Sequence, residues 1–192
     1  MTDIRSRDLL VDLTPRTQQP SVRLRRASTE DAAWLAALGA RLFAQAYDGL
    51  MDPADIAAYL SDTYAVDKQE AELRARDSAV WIAESSDAEP VGFALLRRRA
   101  LPLPGERREG IELARIYVDR EWQGHRLGAR LLAICVSEAR AWGGELLWLS
   151  VWQRNDRAIA FYRHLGLRIV GEQDFVCGSD RQRDYLMALA LR

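Results

Sequence analysis

The chain has 192 residues, 48% hydrophobic and 29% charged, which fits one globular domain with a sizeable core and excludes a disordered chain. Lysine and arginine number 27 against 28 aspartate and glutamate, a formal net charge of -1, so a protein held to nucleic acid mainly through phosphates is not expected. The two cysteines, Cys135 and Cys177, are too few for a disulfide framework or a four-cysteine zinc site, and the two histidines, His125 and His164, match no metal-binding spacing.

Residues 1–21 carry Pro15, Pro20 and a polar Thr-Gln-Gln stretch, and are expected to be a flexible tail. Met1 to Leu13 lack the apolar core of a secretory signal, and no apolar run approaches the roughly 20 residues of a membrane span; the expected compartment is the cytoplasm. Val22 to Arg25 alternate apolar and charged, which predicts a half-buried strand. Ser28 with Asp31 three residues on resembles a capping box, and Trp34, Leu35, Leu38 and Leu42 carry a helix to about Ala46. A second helix is predicted from Asp52-Pro53 to about Leu60, with proline at its first position, and a third over about Asp67–Arg76. The period then switches to two: Ala79–Ala83 and Pro90–Leu96 read as strands joined by a polar turn.

Residues 97–109 are basic, hold Pro102, Pro104 and Gly105, and read as a loop. Ile111–Val118 is a long strand. Gly124–Trp142 is the clearest helix, with Leu127, Leu131, Cys135, Ala139 and Trp142 at three- and four-residue steps, ended by Gly143-Gly144. Glu145–Trp152 is a strand, Asp156–Leu165 a short helix stopped by Gly166, and Leu167–Glu172 and Arg183–Leu191 are the last strands. The order predicts an α/β layer fold with a mixed sheet and no linker after residue 21.

Chemistry concentrates in the segment 115–132, RIYVDREWQGHRLGARLL. An apolar strand enters a turn holding Gln123, Gly124 and Gly128, then a long helix. Small residues at such a junction let backbone N–H groups approach a ligand, and the helix N-terminus favours an anion such as pyrophosphate. An ordinary strand–turn–helix junction has the same residues. The run Gln123-Gly124-His125-Arg126-Leu127-Gly128 resembles the acetyl-CoA motif of the GNAT superfamily of N-acetyltransferases, Gln/Arg-x-x-Gly-x-Gly/Ala, with Arg126 where the family has its first motif glycine. Downstream, NDRAIAFYRHLGL over 155–167 resembles the family's Asn-x-x-Ala-x-x-Phe-Tyr-x-x-x-Gly-Phe, with Leu167 for the final Phe. Both motifs stand in the family's order. ELARIYV over 112–118, WLSVW over 148–152, Tyr59-Leu60 and Glu72-Leu73 further resemble the PaiA-type branch, associated with spermine and spermidine acetylation.

The resemblance implies a GNAT fold, a mixed sheet of about six to seven strands flanked by helices, over residues 22–192. It implies acetyl-CoA as co-substrate without a metal, a small-molecule amine as acceptor, and homodimers as a family expectation; no nucleic-acid or membrane partner is expected. The cofactor-binding residues implied are Ile116, Tyr117, Val118, Gln123, Gly124, His125, Arg126, Leu127, Gly128, Ala129, Asn155 and Tyr162. The amide of Ile116 would hold the oxyanion, the amides of Tyr117 and Val118 the pantetheine arm. Arg126 is expected at an ordinary negative φ, serving the pyrophosphate through its backbone.

Alkyl amines have pKa near ~10, so a base must take a proton before attack. Glu112, eleven positions before Gln123, stands at the offset of the catalytic glutamate in the histone-acetyltransferase branch; the alternative is a strand-edge charge facing solvent. Tyr162 follows Asn155 by seven residues, on nearly one helical face. The family uses tyrosine here to protonate the departing thiolate and asparagine there to bind the cofactor; packing and helix capping are the alternative roles. Arg97-Arg98-Arg99 reads as a solvated loop face, His164 as a helix-end charge and Cys135 as core. Asp48, Asp52, Asp55 and Asp62 read as caps and surface charge, or as an acidic mouth for a cationic amine. Other acceptors left open are protein N-termini, lysines and antibiotic amines; a CoA-binding regulatory module without catalysis is the rival of another class.

Overall fold

In the computed structural model, which describes residues 21–191, strand β1 (Arg23–Arg26) leads through a 3-10 turn (Thr29–Asp31) into helix α1 (Ala32–Tyr47). The Asp31 carboxylate fixes that entry: it accepts from the Ser28 amide at 2.8 Å and from the Arg25 guanidinium at 2.7 Å, and Arg25 holds its carboxyl below the usual range. Helices α2 (Pro53–Thr63) and α3 (Val66–Arg74) follow, then strands β2 (Ser78–Glu84), β3 (Pro90–Arg98) and β4 (Gly110–Val118). After a 3-10 turn (Arg120–Trp122) come α4 (Leu127–Ala141), β5 (Leu146–Trp152), α5 (Asp156–His164), β6 (Arg168–Cys177) and β7 (Asp180–Ala190). The expected flexible tail lies, apart from Ser21, outside the described residues.

The seven strands form one mixed sheet in the order β1-β2-β3-β4-β5-β7-β6, with every neighbouring pair antiparallel except β4–β5. On one face α4 buries the stripe Leu127, Leu131, Cys135 and Ala139 against Leu96, Ile111, Leu147 and Leu149. On the other, α1 buries Leu35, Leu38, Leu42 and Phe43 against Val80, Ile82, Phe93 and Leu95. Truncating such a leucine to alanine typically costs about 2–5 kcal/mol, so both layers are fixed firmly to the sheet. No helix among the described residues is long and apolar enough to cross a membrane.

Several boundaries differ from the sequence reading. Strand β3 continues through Arg97 and Arg98, read above as loop, because both charges leave the sheet rim for partners: Arg97 pairs with Glu72, and Arg98 donates to the Trp142 carbonyl at 2.7 Å. Strands β6 and β7 extend toward each other as one hairpin through Cys177 and Asp180, where polar alternation on an exposed edge hides the strand period. Helix α4 starts at Leu127 and not at Gly124, because the intervening turn is left-handed.

Candidate active site

Strands β4 and β5 pair only over Gly110–Leu146, Ile111–Leu147 and Glu112–Trp148. Beyond that rung β4 runs on to Val118 bonded to β3 alone, and a cleft of about 1040 Å³ opens between the strands. Hydrogen-bonded and open rungs alternate in an antiparallel ladder. The Asp119 amide donates to the Val91 carbonyl at 2.8 Å, and Val118 stands opposite Gly92 and Ile116 opposite Ala94. The amides of Ile116 and Val118 therefore face the split. Tyr117 lies on the alternate rung, so its amide serves β3. That corrects the expectation that it holds a pantetheine arm. Tyr117 contributes its ring instead, with centroids 5.7 Å from Phe93 and 6.2 Å from Phe43.

The turn after β4 is held by side chains. The Gln123 amide nitrogen donates to the Val118 carbonyl at 3.0 Å, and Asp119 caps the 3-10 turn. Gly124 has φ +86° and Arg126 φ +59°. The negative φ expected for Arg126 is thus corrected. Arg126 occupies a left-handed position at the start of α4, a conformation that costs an L-residue with a Cβ roughly 1–2 kcal/mol and costs glycine nothing. This is where the resembling motif has glycine. The consequence is chemical as well as steric. Arg126 offers no oxygen to cap α4. The first amides of the helix, at Leu127, Gly128 and Ala129, have no intrahelical acceptor and lie at its positive end. Arg120, Arg126, Arg157 and His164 line the cleft, with the Arg120 guanidinium donating to the Gln45 carbonyl on α1 at 3.1 Å. A Cβ on Gly128 would lie 3.2 Å from Phe161 Cζ, so a hydrogen there keeps α4 and α5 close.

Asn155 caps α5, its side-chain oxygen accepting from the Ala158 amide at 3.1 Å, and it also lines the cleft. Tyr162, on the same helix, is buried and reaches the cleft beside Ile116 and Gly128. Burial, with a smaller contribution from Tyr47, pushes its phenol above the ordinary value, so it stays protonated at neutral pH.

The cleft is also lined by Tyr47, Asp48 and Leu50 from the α1–α2 corner and by Ala114, Arg115 and Ser150. Arg115 is neutralised by Glu72 at 2.7 Å and lies 5.1 Å above the Tyr64 ring. The acidic mouth reduces to Asp48: Asp52 caps α2 by accepting from Ala54, Asp55 accepts from the Ser179 amide at 2.6 Å, and Asp62 is exposed outside the cleft.

Of the catalytic and cofactor-binding residues that the resemblance implies, two do not line the cleft. Glu112 is buried at the last closed rung, 3.5 Å from Arg99. His125 is exposed and packs toward the Trp122 ring. Sequence reasoning missed Ser150, Asp184 and Tyr47. Ser150, one hydroxyl inside the apolar run LLWLSVW, was the visible signal; Asp184 reads in sequence as a surface charge. Among the described residues no group of three or more His, Cys, Asp or Glu is placed to hold a metal ion.

The model of the acetyltransferase (GNAT) family matches residues 43–167, which spans β4, α4, β5 and α5. The chain is 31% identical over 170 residues to an uncharacterized N-acetyltransferase in the pepI 3′ region of Lactobacillus delbrueckii subsp. lactis, covering 88% of this chain and 98% of the relative. In fold it is similar to the PaiA N-acetyltransferase of Thermoplasma acidophilum in complex with coenzyme A, with TM-score 0.72, 22% identity, and coverage of 88% of this chain and 99% of that one. It is also similar to yncA of Salmonella typhimurium with its cofactor acetyl-CoA, with TM-score 0.69, 20% identity, and coverage of 90% and 95%. The chain belongs to the acetyltransferase (GNAT) family.

Proposed function

We propose that the protein transfers the acetyl group of acetyl-CoA to a primary amine of a small molecule, with both substrates bound together. One observation carries this reading: the β4–β5 split ends at a helix whose first amides are uncapped. A ligand with amides along its length and phosphates at one end matches such a cleft. Open strand groups at Ile116 and Val118 suit the amides, and the α4 N-terminus with Arg126 and Arg157 suits the phosphates. Acetyl-CoA would supply an activated acyl group as a thioester.

The residues then divide the work. The amides of Gly128 and Ala129 and the arginine side chains hold the phosphates. Asn155 fixes the start of α5 and so the position of Tyr162. The Ile116 amide is aimed to stabilise the negative charge that develops on the acyl oxygen. The Tyr162 hydroxyl donates to the departing sulfur, whose thiol pKa is about 8.5 by analogy with cysteine. Both cysteines are buried and neither lines the cleft, which supports direct transfer without a thiol nucleophile. Glu112, outside the cleft and beside Arg99, takes no part in proton transfer.

The acceptor enters from the Tyr47–Asp48 end. A polyamine is one member of the acceptor class, and Asp48 and the ring faces of Tyr47 and Tyr117 are the groups that would attract its charge. The test is thiol release from acetyl-CoA with a panel of polyamines, aminoglycosides and peptides. Amine-dependent release supports the reading. Tight CoA binding without release for any amine supports a regulatory module instead.

A further inference from the structure

Strand β7 buries one ionisable group that the transfer chemistry above leaves unused. Asp184 is only 5% exposed, and its Oδ1 is buried without a hydrogen-bond partner. Its Oδ2 accepts from the Ser150 hydroxyl at 2.6 Å. Ser150 Oγ in turn accepts from the Gln173 side-chain nitrogen at 2.9 Å. Asp184 sits in register with Trp152 on β5 and Gln173 on β6, so three strands fix the group. A half-paired buried carboxylate opposes folding, so a sequence that keeps one without a function is not favoured.

Proton counting decides what this arrangement presents to the cleft. Gln173 nitrogen has hydrogens only to give, so one Ser150 lone pair is taken. The Ser150 hydrogen points to the carboxylate. What remains for the cleft is an acceptor lone pair on Oγ. Ser150 lies two residues past Trp148 and Ala114 two past Glu112, so Ser150 stands two positions beyond the last closed rung. The Ile116 amide is two residues further along, on the order of 7 Å at strand rise.

The geometry points to Ser150 as the group that touches the incoming amine and to Asp184 as the positioning residue behind it, which receives the amine's proton through Ser150. The inference rests on the acetyl-transfer reading. Ammonium and thioester give amide, thiol and one free proton: of the two protons the nitrogen loses, one replaces the proton that Tyr162 gives to the sulfur, and the other is taken up by Ser150 and Asp184. An N–H bond of the ammonium breaks and an O–H bond forms on Ser150, while the original Ser150 O–H breaks and its proton forms an O–H on Asp184 Oδ2. The nitrogen keeps the electron pair that attacks the acyl carbon. The proton later leaves to solvent. Burial raises the Asp184 carboxyl above its ordinary value, partly offset by the Ser150 bond, which suits a proton acceptor. The titratable group facing Asp184 from α1 is Tyr47, itself held neutral by burial.

The experiment compares two nucleophiles, the fastest alkyl amine of the panel, with spermidine always included, and hydroxylamine. The alkyl amine arrives protonated at pH 7; hydroxylamine is already neutral. Asp184→Asn keeps the shape and cannot take a proton. The ratio of alkyl-amine to hydroxylamine kcat/KM is expected to fall on the order of 10²-fold, the lower range for loss of a positioned base. Ser150→Ala is the second variant, expected to lower the same ratio, and it decides the matter if Asp184→Asn does not fold. Equal loss for both nucleophiles, or no loss, overturns the inference. So does a fall in the ratio for Glu112→Gln while Asp184→Asn keeps it. If the wild-type protein acetylates no amine at all, the acetyl-transfer reading has failed, and this inference falls with it.

Discussion

Glu112 and Trp148 are the last residues at which β4 and β5 pair, and from that rung the two strands part into the cleft. Trp148 holds the rung closed from below: it is almost fully buried, and its indole nitrogen donates to the Arg99 carbonyl at 2.7 Å. Trp148→Ala removes a large core side chain, a class of change that costs about 3–5 kcal/mol. Thermal unfolding is expected to show that loss together with weakened CoA binding. A folded variant with unchanged CoA affinity would separate the rung from the cleft.

A side chain at Gly128 is crowded, with Phe161 Cζ 3.2 Å from the place of a Cβ. Gly128→Glu pushes on the Phe161 ring and sets a negative charge among the free amides. CoA affinity measured by calorimetry is expected to fall by on the order of tenfold or more, since charge at a helix N-terminus alone carries about 0.3–2 kcal/mol. Unchanged affinity in the folded variant contradicts the phosphate site.

Arg126 sits at φ +59°. Arg126→Val puts a β-branched residue in the left-handed region and is expected to lower stability by about 1–2 kcal/mol. Arg126→Gly removes the strain and is expected to keep or raise Tm, while weakening CoA through loss of the guanidinium. Denaturant unfolding of the pair checks it; equal loss in both variants would place the cost in the lost side chain and not in the backbone.

Tyr162→Phe keeps the ring that packs in the core and removes the hydroxyl. We expect kcat to fall by on the order of 10²–10⁴ with CoA affinity nearly intact. Wild-type kcat, with chemistry limiting, would leave Tyr162 as a packing residue.

The Asp184 carboxyl is raised by burial, so the folded state prefers its protonated form. The sign follows: ionisation opposes folding above the folded-state pKa, and stability returns as pH falls through it. Asp184→Asn is therefore expected to show a higher Tm than wild type at pH 7, with the gap closing toward pH 4. A variant less stable than wild type at pH 7 would mean that the carboxylate supports the fold.

Much of the site was legible because its chemistry is local in sequence. The strand–turn–helix run to Gly128 and the stretch from Asn155 to Tyr162 each hold spacing and residue type together, and both line one cleft. Three things were not legible. An arginine at 126 hid a left-handed backbone that only the motif's glycine at that place hinted at. The Ile116–Tyr117 distinction depends on which rungs of β4 bond to β3, a register that only pairing reveals. Asp184 meets Ser150 across β5 and β7, 34 residues apart, and a lone aspartate in a polar strand carries no mark of burial.

The central claim is acetyl transfer to an amine in the β4–β5 cleft. It is tested most directly by following acetyl-CoA with the amine panel, reading thiol release and the mass of the amine product together. The account predicts thiol release that depends on the amine, a product one acetyl group heavier on nitrogen, and loss of both in Gly128→Glu. CoA that binds wild type tightly while every amine comes back unmodified would contradict it.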